Sequence, residues 1–171
     1  MPPAFRLIPE NSTKMTICNL ADLPALLQKD QTLLGIDYGS TLIGLAISDS
    51  RLSLASPLGT IKRGKLIAVV DELRAYITSR KVGGIVLGLP LALDGRDTPT
   101  SQAVRTFAVN LGKHDFPPIS LWDERFSTKV IQRQLTEVAD LSRNRRAEVV
   151  DKLAAAYILQ GALDFIRNRG G

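Results

Sequence analysis

The run Gly35-Ile36-Asp37-Tyr38-Gly39-Ser40-Thr41 places a lone carboxylate where an apolar strand runs out, just before a glycine turn. A charge is costly to desolvate, so an Asp at that position calls for a cation or another strong partner. Gly39 lets the backbone turn tightly and come close to a ligand. Two later segments supply further acids, Asp123-Glu124-Arg125 and Val150-Asp151-Lys152. Neighbouring side chains of a strand point to opposite faces, so one of Asp123 and Glu124 reaches a shared site. Glu124 is assigned to it, with Asp123 the alternative. Arg125 either holds a phosphate or pairs with Asp123. On a helix, Asp151 shares its flank with Ala147, Ala154, Ala155 and Ile158, while Val149, Val150, Leu153 and Tyr157 form the larger apolar stripe. Small neighbours would let that helix approach the sheet closely.

Asp37, Glu124 and Asp151 together suit Mg²⁺ or Mn²⁺, hard ions that take carboxylate and water oxygens. Two such ions about 4 Å apart stabilise both the attacking and the leaving oxygen in phosphodiester hydrolysis. That chemistry needs no nucleophilic side chain, so neither Cys18 nor His114 is required. His114 reads as a loop residue, Trp122 as core, and Asp49 as a turn residue. Gly88-Leu89-Pro90-Leu91 with Asp94-Gly95 reads as a shaped loop at the same end of the sheet.

The chain has 171 residues and a formal net charge of +5. The excess of base favours a polyanionic partner, and its distribution says more than its total. Lys62, Arg63 and Lys65 form one cluster, Arg125, Lys129 and Arg133 a second, Arg143, Arg145 and Arg146 a third. Two of them flank an acidic motif, as a groove holding phosphates beside carboxylates requires. Arg125, Lys129, Arg143, Arg145 and Arg146 are the expected substrate contacts. One cysteine excludes an intrachain disulfide and a thiolate zinc cluster. Apolar runs fall short of the roughly 18 residues that a membrane span needs. The N-terminus lacks the pattern of a signal peptide, so a cytoplasmic protein is expected.

These residues need elements to position them. Residues 1–31 read as an extension with a short helix at Asp22–Gln28, and 32–171 as one domain. Strands are expected at Leu33–Asp37, Ile43–Ser48, Leu58–Ile61, Ile85–Leu89 and Ile119–Trp122. Helices are expected at Lys65–Arg80, Thr100–Leu111, Ser127–Glu137 and Arg146–Arg167. The order implies an α/β fold, a mixed central sheet flanked by helices.

At these residues the chain resembles the YqgF family, to which pre-16S rRNA nuclease activity is attributed and which is related to RuvC-type Holliday junction resolvases. The motifs agree in order over about Leu33 to Phe165: Gly-Ile-Asp-Tyr-Gly with Gly44 and Ser48-Asp49, then the Gly88 loop, then Asp123-Glu124-Arg125-Phe126-Ser127-Thr128, then Val150-Asp151-Lys152 with Ala154-Ala155. The resemblance implies a ribonuclease H-like fold, metal-dependent nuclease chemistry, acidic roles for Asp37, Glu124 and Asp151, and a part in maturing the 5′ end of 16S rRNA. In one departure, Thr41-Leu42 stand where the family usually has Arg or Lys-Arg. Arg51 and Arg63 are the nearby cations that could compensate.

Three readings follow. The first is a metal-dependent endonuclease on structured RNA, pre-16S rRNA rather than branched DNA, with the ribosomal subunit as a further partner. A Holliday junction resolvase-like DNA nuclease is the close alternative. A non-catalytic RNA-binding ribosome-assembly factor is the other. The sugar-kinase, actin and Hsp70 group has a similar phosphate loop, but it closes two such domains around ATP and this chain has room for one.

Overall fold

The computed structural model describes residues 17–126 and 143–169. Five strands form one sheet in the order β3-β2-β1-β4-β5. β1 (Thr32–Tyr38), β2 (Leu42–Ser48) and β3 (Ala55–Lys62) make an antiparallel meander. β4 (Val82–Leu89) pairs parallel with β1, and β5 (Ile119–Asp123) parallel with β4. Helices α1 (Leu66–Ser79) and α2 (Pro99–Gly112) precede β4 and β5 as crossovers.

β1 is buried on both faces, and its period of two sorts the core. Leu34 and Ile36 face α1 and α2 in a cluster with Ile43, Leu45, Val70, Leu73, Val104 and Phe107. Leu33 faces the opposite way, toward α3 (Arg143–Arg169), with Ala46, Val86, Ala155, Ile158 and Leu159. Asp37 follows in the same alternation as Leu33 and Gly35, so it belongs to the α3 face.

β3 starts earlier than Leu58 because its edge position tolerates Pro57, and the register shift opposite Leu45 and Ala46 absorbs Leu58. The helix expected at Asp22–Gln28 is a 3₁₀ segment at Leu20–Leu26 containing Pro24. Its Leu20 and Leu23 are buried in the α3-side cluster, and Ile17 bridges in parallel to Ile119. The helix expected at Ser127–Glu137 lies outside the described residues. α3 begins three residues before Arg146. Its deepest residues are Ala155, Ile158, Leu159, Ala162 and Leu163, and Ala154 of the expected small-residue flank is buried with them, whereas Val149, Val150, Leu153 and Tyr157 are only partly covered. The expected larger stripe is therefore not the contact face. The glycines of the sheet beneath α3 let the helix settle closely: a Cβ on Gly44 would meet the Asp151 backbone, one on Gly35 Leu159, and one on Gly88 Ile158.

Among the described residues no helix is long and apolar enough to cross a membrane.

Candidate active site

Three elements bring their acids to one end of the sheet. Asp37 sits near the carboxyl end of β1, beside β4, where open α/β sheets bind ligands. Glu124 opens a 3₁₀ turn directly after β5. Its Oε1 fills the space that a side chain at Gly88 would occupy, with Ile158 Cδ1 on the same spot. Asp151 comes from α3, opposite Gly44 of β2. A Cβ on Gly39 would stand 3.6 Å from Asp151 Oδ1 and would overlap the Leu42 carbonyl oxygen. Gly39 is thus required by close packing of its turn.

The electrostatics register this convergence. Burial, then the Asp151 charge, pushes the Asp37 carboxyl up to about 6. Burial, then the charges of Asp37 and Asp123, pushes Glu124 up to about 7. Asp151 is also raised, by burial. Asp37 and Glu124 are each raised by burial first and then by a neighbouring carboxylate, as expected of acids gathered close together. Among the described residues no three Asp, Glu, His or Cys side chains yet close around a single point as a finished ligand cage. Their chemistry nevertheless fits a hard divalent cation: the site offers carboxylate oxygens, and the mutual repulsion is what such an ion would relieve.

Asp123 takes another course. It accepts from Arg125 Nε at 3.0 Å and 2.9 Å through its two oxygens, and from the Arg125 backbone N–H at 3.0 Å. That fork holds its carboxyl below the usual range. Arg125 also donates through Nη1 to the Leu93 carbonyl at 3.3 Å, joining the end of β5 to the loop after β4. Of the two uses open to Arg125, this conformation has the ion pair. Leu93, at that loop, is 96% exposed.

Arg143, Arg145 and Arg146 all lie in the first turn of α3, with Arg145 exposed. Lys129 lies outside the described residues. Asp49 is a turn residue, accepting from Ser53 N and Leu54 N at 2.7 Å and 3.0 Å. His114 lies in the turn after α2, its carbonyl accepting from Arg74. Trp122 packs against the α3-side core, edge-on to Phe165. Arg63, expected as part of a basic cluster and as a compensating cation but not as a substrate contact, donates from Nη1 to the Gly39 carbonyl at 3.1 Å. Its guanidinium lies 4.2 Å from the Tyr38 ring centroid. The sequence signal for it was the basic cluster Lys62, Arg63 and Lys65; its aromatic support was not visible there.

A family model described as "RuvX: Holliday junction resolvase" matches residues 31–165. The chain belongs to that family. A RuvX-family relative from Paramagnetospirillum magneticum, named "Putative pre-16S rRNA nuclease", is 52% identical over 157 residues, 92% of this chain and 99% of its own. Another of the same name, from Rhodospirillum rubrum, is 51% identical over 150 residues, 88% of this chain and 93% of its own. Among solved structures, T. thermophilus RuvC in complex with a Holliday junction substrate aligns with a TM-score of 0.52 at 14% identity, covering 81% of this chain and 96% of that one. That likeness establishes the ribonuclease H-like fold. Membership of the RuvX family places the chain among nucleases.

Proposed function

We propose that this nuclease hydrolyses phosphodiester bonds of structured RNA, at the 5′ end of pre-16S rRNA, with Mg²⁺ or Mn²⁺ held by Asp37, Glu124 and Asp151. One observation carries the reading: acids from β1, the turn after β5, and α3 come together where burial, and for Asp37 and Glu124 a neighbouring carboxylate, raises their proton affinity. A bound divalent ion would supply Lewis-acid stabilisation of the charge that develops at the phosphate. Asp37 and Glu124 must shed their protons to act as ligands, so metal binding should weaken as pH falls and release protons when it occurs. Asp123, committed to Arg125, stiffens the Leu93 loop beside the acids.

Basic residues in the first turn of α3 support a polyanionic substrate. Cations there add to the positive end of the helix dipole, which a phosphate backbone would offset. Pre-16S rRNA as substrate is supported by the names of the relatives at about half identity. Branched DNA is the second reading, supported by the description of the family model.

The test is cleavage of an end-labelled pre-16S 5′-leader RNA and of a four-way DNA junction, each with Mn²⁺, Mg²⁺ or chelator, by wild type and Asp37→Asn. Metal-dependent RNA cutting lost in the variant is expected. Cutting confined to the junction would replace the RNA reading with the DNA one. Equal cutting by variant and wild type would remove Asp37 from the chemistry.

A further inference from the structure

Tyr38 follows Asp37 on β1, so its ring points away from the acids and into the α1 and α2 layer. One face of that ring is stacked on Phe107 of α2, with centroids 4.2 Å apart and planes within 13°. The Arg63 guanidinium, also 4.2 Å from the Tyr38 centroid, must therefore lie on the other face. A hydrogen bond to the Gly39 carbonyl fixes its in-plane position. The outer plane of Arg63 is exposed, and no carboxylate among the described residues pairs with it. It lines a cavity of about 270 Å³ together with Tyr38, Phe107, Thr106 and Asn110. Arg63 bonds the carbonyl of Gly39, and a Cβ on the same residue would stand 3.6 Å from Asp151 Oδ1.

A planar cation supported on an aromatic pair, with an open outer face, is a stacking surface for an unpaired nucleobase. The cavity lies just under the size of common small-molecule sites, which suits one base better than a cofactor. Thr106 and Asn110 offer polar groups to its edge, and the exposed Lys62 and Lys65 flank the path of its backbone. We propose that Arg63, resting on Tyr38 and Phe107, is the platform for a single unpaired base of the substrate strand, on the α1 and α2 side of the sheet end where the acids lie. This rests on the nuclease reading above and adds to it a contact that selects unpaired substrate.

Binding measured in chelator separates the platform from cleavage. Leader RNA oligonucleotides carrying one abasic nucleotide, walked along the strand, are titrated by fluorescence anisotropy against wild type, Arg63→Ala and Arg63→Lys. At one position, loss of the base should weaken wild-type binding by roughly tenfold. The same loss should have no effect in Arg63→Ala. Arg63→Lys keeps the charge without the plane, so it too should be indifferent to the missing base. Variants that weaken every oligonucleotide alike, a lysine variant that keeps the abasic effect, or wild type that binds no oligonucleotide would each overturn the platform. Wild type that cuts RNA with Mn²⁺ yet has no base-sensitive position overturns the platform and leaves the nuclease reading intact. A base-sensitive position in a protein that never cuts supports the platform and removes the nuclease reading.

Discussion

Gly44 of β2 lies directly under Asp151 of α3, so close that a methyl group on Gly44 would overlap the Asp151 carbonyl oxygen. The contact is backbone against backbone, and no rotamer change can relieve it. Gly44→Ala should push α3 off the sheet and carry Asp151 away from Asp37. A destabilisation of about 1–3 kcal/mol is expected from such overpacking. Cleavage should fall much further than stability. Denaturant titration and cleavage assays on the same preparation check both.

Removing one buried carboxylate charge relieves repulsion on the others. Asp37→Asn and Glu124→Gln should therefore melt higher than wild type at about pH 8 without metal, while losing activity by about a hundredfold or more. A variant that loses both stability and activity would mark the acid as a structural residue.

Asp37 and Glu124 have raised proton affinity in the folded state. Their protonation favours the fold below the ordinary carboxylate range, and that contribution is lost as pH rises through about 6 and about 7. Asp49, Asp97 and Asp123 are held low and do not titrate in that window. The melting temperature in chelator should fall between about pH 5 and about pH 8. Mg²⁺ or Mn²⁺ should restore it at the upper end and do little at the lower. Thermal scans with and without metal give the comparison directly.

Asp123 and Glu124 are adjacent in sequence and shifted in opposite directions, Asp123 down and Glu124 up. Asp123→Asn loosens the Arg125 fork and the Leu93 loop, so it should change KM more than kcat. Glu124→Gln should lower kcat with little change in KM. Kinetics of the two variants in parallel would expose a reversed assignment.

The Ser48 hydroxyl accepts from the Leu33 N–H at 2.8 Å, where the β1–β4 register shifts, and donates to the Asp49 carbonyl. Ser48→Ala leaves a buried N–H unpaired and should cost about 1–3 kcal/mol. Urea unfolding checks the loss, and the metal response should survive it.

The strand order of hydrophobicity, the glycine after Asp37 and the acids of three separated motifs were legible because each depends on local patterning. An apolar run ending in Asp-x-Gly is informative wherever it lies. Asp49 as a turn residue and Trp122 as core were readable for the same reason. The contact face of α3 was not. Hydrophobicity pointed to Val150, Leu153 and Tyr157, but the face that meets the sheet carries Ala155, Ile158, Leu159 and Leu163, set by where the sheet's glycines leave room. Periodicity within one helix carries no information about the shape of what it packs against. Nor could it decide that Arg125 turns back to Asp123, or that Arg63 lies on Tyr38 and meets Gly39. Those contacts join residues from different elements. The sequence by itself determined which residue types and strand ends were available to this site. Only the packing of α3 on β1 and β2 decided which carboxylates are close enough to repel one another, because that repulsion depends on distance and burial across the chain.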